Sequence, residues 1–90
     1  MVEIHYFAAA RAARGVAQET LPDPGSTLAD LLGSLGTAHT DTTAGGTTLA
    51  QVFERCGFLI DGRTVTHADA TTTPLDGVQR VDVLPPFAGG

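Results

Sequence analysis

The chain contains no lysine. Its five basic residues are all arginine, against ten Asp and Glu, for a formal net charge of −5 at pH 7. No basic stripe is present to neutralise phosphates, which excludes nucleic acid as a partner class. There is one cysteine, Cys56, so an internal disulfide is excluded, and no Cys/His set has the spacing of a zinc site. No metal is expected. Met1 is followed directly by VEIHYF, with neither a basic start nor a long apolar run. The reading is therefore no signal peptide and no membrane span, and a cytoplasmic location. Three histidines, His5, His39 and His67, lie far apart in the sequence without a Ser, Cys or Asp constellation around them. They read as surface or strand residues, and the chain is not expected to be an enzyme on its own. Cys56 has only Arg55 beside it to lower its pKa, so it reads as a buried, inert thiol.

What is present suffices for one small folded domain. The chain has 90 residues, of which 42 % are hydrophobic, too many for disorder and too few residues for two domains. The acidic balance favours solubility, and it would also steer the domain toward a basic face on a partner.

Residues Val2–Phe7 alternate, with Val2, Ile4 and Tyr6 on one face and Glu3, His5 and Phe7 on the other, as in a half-buried strand. AAARAARG reads as a connection, with Gly15 free to take a positive φ. Val16–Leu21 reads as a second strand, hairpinned to the first and broken by PDPG. In STLADLLGSLG, Ser26 or Thr27 caps a helix, and Asp30 stands where a capping-box acid belongs if Thr27 is the cap. Leu28, Leu31, Leu32 and Leu35 form its core-facing stripe, and Gly36 reads as its stop. TAHTDTTAGGTT reads as a surface loop, and its Gly45–Gly46 pair lacks the surroundings of a phosphate cradle. A short helix is expected over Leu49–Arg55. GFLIDGRTV is a hairpin built on Asp61–Gly62. After a Thr-rich loop and a Leu75-Asp76-Gly77 turn, a strand over Gln79–Leu84 points Val81 and Val83 inward. There Arg80 and Asp82 read as a solvated pair on the outward face. Pro85 and Pro86 end the strand, because neither can donate to a ladder.

This order fits an α+β domain over residues 1–84, a mixed sheet packed on one main helix, followed by an extended tail over 85–90. The tail, PPFAGG, spans about 20 Å when extended. Pro85 and Pro86 favour an extended course away from the sheet. Gly89 and Gly90 carry no side chain and can thread a channel closed to other residues. A terminal carboxylate is ionised at neutral pH and is a poor electrophile. Activated as an acyl-adenylate by a partner enzyme with ATP, it can accept sulfur and become a thiocarboxylate.

Val2–Ala8, the capped helix from Thr27 to Leu32, the Leu75-Asp76-Gly77 turn and above all VDVLPPFAGG resemble the small, sulfur-carrier subunit of molybdopterin synthase. The wider family is that of the ubiquitin-like sulfur carriers, including the thiamine-pathway carrier. The resemblance implies a β-grasp fold in which the last strand lies beside the first. It also implies that Gly90 is adenylated by an ATP-dependent activating enzyme and converted to a thiocarboxylate. The tail, with Ala88 and Gly89 threading, would enter the large synthase subunit and give sulfur to a pyranopterin precursor. The chain itself would bind no cofactor tightly. Phe7 and Leu84 match positions of the family's apolar docking patch on the open face of the sheet. Pro85, Pro86 and Phe87 would join them at the partner.

A further patch position, commonly apolar in the family, falls near Thr64. The chain length and the Pro-Pro pair lean toward the molybdopterin branch. A carrier for cysteine or thiamine synthesis, and a protein modifier joined through Gly90 to lysine, share the same ending.

Overall fold

The computed structural model describes residues 1–40 and 46–86. Alternation does what the sequence predicts in the first strand, β1 (Val2–Tyr6): Val2, Ile4 and Tyr6 are buried while Glu3 stays exposed. The other strands are β2 (Gln18–Leu21), β3 (Gly57–Ile60), β4 (Arg63–Thr66) and β5 (Arg80–Leu84). They form one five-stranded sheet in the order β2-β1-β5-β3-β4. β1 and β5 run parallel, and every other neighbouring pair is antiparallel. With the helices on one face, this is a β-grasp domain.

AAARAARG is not an irregular connection. It forms a helix, α1 (Ala8–Arg14), closed by Gly15 at φ 86°. Ala and Arg are strong helix formers, but alanine leaves no apolar stripe to read in the sequence. In space Ala10 and Ala13, three residues apart, are buried against the core. β1 and β2 do pair antiparallel, but through this helix rather than a tight turn.

The second helix, α2 (Leu28–Ala38), begins with the capping box foreseen for Thr27. The Asp30 N–H donates to Thr27 Oγ1 at 3.2 Å, and the Thr27 N–H donates to Asp30 Oδ2 at 3.2 Å. Leu28, Leu31, Leu32 and Leu35 are all buried. Gly36 does not stop the helix, which continues to Ala38. A Cβ at Gly36 would stand 3.0 Å from the Ala50 Cβ, so the glycine serves the close approach of α3 (Leu49–Phe53). α3 carries its own capping box, between Thr48 and Gln51.

The Asp61–Gly62 turn has both residues at positive φ, 49° and 87°, as a two-residue hairpin demands. Asp61 also reaches the next strand. Its Oδ1 accepts the N–H groups of Gln79 at 3.1 Å and Arg80 at 2.9 Å. The Thr-rich segment expected as a loop at 71–73 lies mostly in a 3-10 helix, His67–Thr72. Local hydroxyl bonds hold it: Thr72 and Thr73 both donate to the Asp69 carbonyl. Of the expected loop over 37–48, residues 37 and 38 belong to α2, and 41–45 lie outside the described residues.

Candidate functional site

β5 ends at Leu84, and the Pro-Pro segment follows it directly. Val81 and Val83 are fully buried, so Arg80, Asp82 and Leu84 point to the opposite face, which carries no helix. The register assembles that open face row by row. His5, Asp82, Leu59 and Thr64 lie side by side across β1, β5, β3 and β4. One row nearer the end of β5, Leu84 stands opposite Gly57, which stands opposite Thr66.

Phe7 completes the apolar end. It sits one residue beyond β1, as the N-cap of α1, and its N–H donates to the Val83 carbonyl at 3.3 Å. Its side chain is 42 % exposed, unusually open for a large aromatic. Leu84, Leu59 and Pro85 are half-buried, and Pro86 is exposed. A Cβ at Gly57, opposite Leu84, would meet no atom within 4 Å, so the surface there is uncovered. The structure thus brings Phe7 and Leu84 to one end of the open face, and Pro85 and Pro86 follow Leu84 in the chain. Phe87, Ala88, Gly89 and Gly90 lie outside the described residues.

Thr64 lies on this face without adding apolar surface. Leu59, its cross-strand partner, supplies it one strand further in. The signal was available in GFLI: if Phe58 and Ile60 point inward, Leu59 points out. Gly57 and Leu59 were the members of the face that strand-by-strand reading missed.

The polar part of the face also differs from expectation. Arg80 and Asp82 do pair, with Arg80 Nε and Asp82 Oδ1 at 2.9 Å, but the pair is not solvated on both sides. The Arg80 side chain is 51 % exposed and that of Asp82 only 10 %. Asp82 is walled in because it occupies the central strand, with His5 and Leu59 in its row. His5 Nε2 in turn lies 3.0 Å from Glu3 Oε1. A buried central carboxylate beside an apolar end gives the open face a polarity along the strand direction.

Cys56 is buried, its Sγ donates to the Val52 carbonyl at 3.1 Å, and burial pushes its pKa up to about 11. His67 packs its ring 6.5 Å from that of Phe58. Among the described residues no group of His, Cys, Asp and Glu is placed to hold a metal ion. No helix among them is long and apolar enough to cross a membrane.

Residues 4–90 match the model of the ThiS family. The chain belongs to the ThiS family. It is a ubiquitin-like sulfur carrier, a member of a group that works with activating enzymes and synthase partners. No curated protein matches the chain. The match begins in β1 and runs to Gly90, so it covers both the sheet and the Gly-Gly end.

Phe7 stands exposed at the end of β1, beside the strand from which the tail continues, so a docking role for it can be tested directly. Replacing Phe7 by Asp is expected to weaken binding to the activating enzyme more than tenfold, the range of an interface hot spot of about 2 kcal/mol. Stability should change by no more than about 0.5–1 kcal/mol, because the side chain is exposed. Titration calorimetry and thermal melting separate the two. A large fall in melting temperature with unchanged binding would make Phe7 a core residue.

Proposed function

We propose that this carrier supplies sulfur for molybdenum cofactor biosynthesis. In the working form Gly90 is the last residue, and its carboxylate is the reacting group. An activating enzyme joins that carboxylate to the α-phosphate of ATP, releasing pyrophosphate. A sulfur nucleophile attacks the acyl carbon, and AMP leaves. The resulting thiocarboxylate enters the large subunit of molybdopterin synthase, its sulfur bonds to a carbon of a pyranopterin precursor, and water cleaves the acyl–sulfur bond, leaving the sulfur on the pterin and returning the Gly90 carboxylate. Two such transfers make the dithiolene that later holds molybdenum. The carrier supplies position and the acyl group; ATP and the pterin are held by its partners.

The observation that carries this reading is the apolar end of the open face, Phe7 with Leu84 and Leu59, set against the root of a Pro-Pro-aromatic-small-Gly-Gly tail. An exposed patch at the base of a reactive arm fits a partner that grips the domain while the arm reaches inward. The Pro85–Pro86 pair favours the molybdopterin branch over the thiamine branch.

The test is intact-mass analysis of protein taken from cells with the pathway active. A gain of about 16 Da, oxygen replaced by sulfur at the terminal acyl group, is expected. A lysine-linked adduct in its place would make the chain a protein modifier. The pathway is read by deleting its gene. Loss of molybdenum-enzyme activity is expected, with growth unchanged in the absence of thiamine and cysteine. A requirement for either nutrient, with molybdenum enzymes intact, would move the carrier to that pathway.

A further inference from the structure

Three side chains from three elements converge beside the buried end of β1. The Tyr6 hydroxyl donates to Glu19 Oε2 at 2.6 Å. Arg14 grips the same carboxylate with two bonds, Nε to Oε2 at 2.7 Å and Nη2 to Oε1 at 2.9 Å. The Arg14 and Glu19 side chains are only 19 % and 18 % exposed, and Tyr6 is buried. The bond from Arg14 holds the Glu19 carboxyl below its usual range, so it stays ionised. Burial, reinforced by Glu19, holds the Tyr6 hydroxyl far above its usual range, so it stays protonated and keeps donating. The other charged or polar side-chain contacts on the open face, Glu3 with His5 and Arg80 with Asp82, each join neighbours on a single strand. Among the ion pairs of the described residues, Arg14 with Glu19 is the one that links α1 to β2, and through the Tyr6 hydroxyl to β1.

α1 is what it holds. A helix of seven residues does not form by itself. Its entry is strained: Ala8 stands at φ 49°, a left-handed conformation that alanine adopts at a cost. Its N-cap is Phe7, whose carbonyl accepts the N–H groups of Ala10 at 3.0 Å and Arg11 at 3.4 Å. Unwinding of α1 would loosen those bonds, leaving the β1 ladder and the bond to the Val83 carbonyl to aim the Phe7 ring. The fork on Glu19 secures the far end of α1 at Arg14. A rigid aromatic loses less freedom on docking than a mobile one, so its binding is tighter for the same contacts.

We propose that Tyr6, Glu19 and Arg14 form a latch that fixes Phe7 in its docking position before a partner arrives. They are positioning residues and touch no partner themselves. The consequence for docking rests on the carrier reading above; the latch itself does not.

The test is Glu19→Gln, which keeps the shape of the side chain and removes its charge. Two readouts are taken. The first is amide hydrogen exchange, followed by NMR in the free protein. Ala10 and Arg11 should exchange roughly tenfold faster, while Val81 and Val83 in β5 are unchanged. The second is the KM for this chain in ATP–pyrophosphate exchange by the adenylating enzyme that acts on the wild-type chain. It should rise about fivefold with kcat within about twofold, and the rise should vanish in a Phe7→Ala background. If Glu19→Gln does not fold, Tyr6→Phe, which removes one hydroxyl, gives the same readouts. An equal rise in KM with and without Phe7 would mean that Glu19 meets the partner directly, and the latch is wrong. A lowered melting temperature with neither readout changed would reduce the cluster to simple support, and would also overturn it. A wild-type chain that supports no pyrophosphate exchange overturns the carrier reading, and the amide rates then decide the latch.

Discussion

Adding one residue after Gly90, or replacing Gly90 by Trp, is expected to bring sulfur transfer down to background while the domain melts as before. The reason lies in which atoms react. In the proposed mechanism the electrophile is the acyl carbon of the last residue, delivered into a channel shaped for chain without side chains. An added residue moves that carbon by about 3.5 Å, and misplacement of even about 1 Å can cost a hundredfold in rate. Trp at the terminus leaves the carboxylate in place but gives it a ring too wide to enter. Neither change bears on folding, because the described core ends at Val83 and β5 ends at Leu84. Thiocarboxylate formation by mass spectrometry, product formation by the synthase, and a thermal melt check the three parts. Normal transfer by either variant would remove the terminal acyl group from the mechanism.

The sequence showed most of the sheet because its strands obey one rule. Val2, Ile4 and Tyr6, then Val81 and Val83, alternate between core and open face, and Asp61–Gly62 marks its own turn. Thr27 with Asp30 was equally legible, since a capping box is a local bond between near neighbours. α1 was not, because its helical signal is composition without an apolar stripe, and its support comes from distant parts of the chain: the core that receives Ala10 and Ala13, and Glu19. Gly36 was read as a stop because its contact, Ala50, is far away in the chain. The site divides in the same way. Phe7 and Leu84 could be assigned to one face by parity. The burial of Asp82 and the addition of Leu59 depend on β5 lying between β1 and β3, which no single strand reveals. The Tyr6–Glu19–Arg14 cluster needed the register Ile4 to Glu19, set by the length of the helix between the strands.

Phe58→Ala is expected to be the most damaging single change in the body of the domain, and Leu59→Ala, one residue along the same strand, is expected to leave it standing. Phe58 is completely buried, in register with Val65 on one side and Val83 on the other. Its ring centre lies 6.3 Å from that of Phe53 and 6.5 Å from that of His67, so it joins β3 to both α3 and the 3-10 helix. Removing a buried Phe side chain costs about 3–5 kcal/mol through lost transfer energy and the cavity left behind. Small domains have only about 5–15 kcal/mol in total. At roughly 4–8 °C per kcal/mol, the melting temperature should fall by about 15–30 °C. Leu59 points to the open face and is half-exposed, so Leu59→Ala should cost no more than about 1.5 kcal/mol and should act on docking. The contrast tests the register itself, because slipping a strand by one residue exchanges its two faces. Chemical denaturation gives the stabilities, and titration of the activating enzyme gives the affinities. Comparable destabilisation by the two variants would mean that the face assigned to docking is covered in the folded domain. The tail would then have no gripping surface at its root, and the carrier would have to be held some other way.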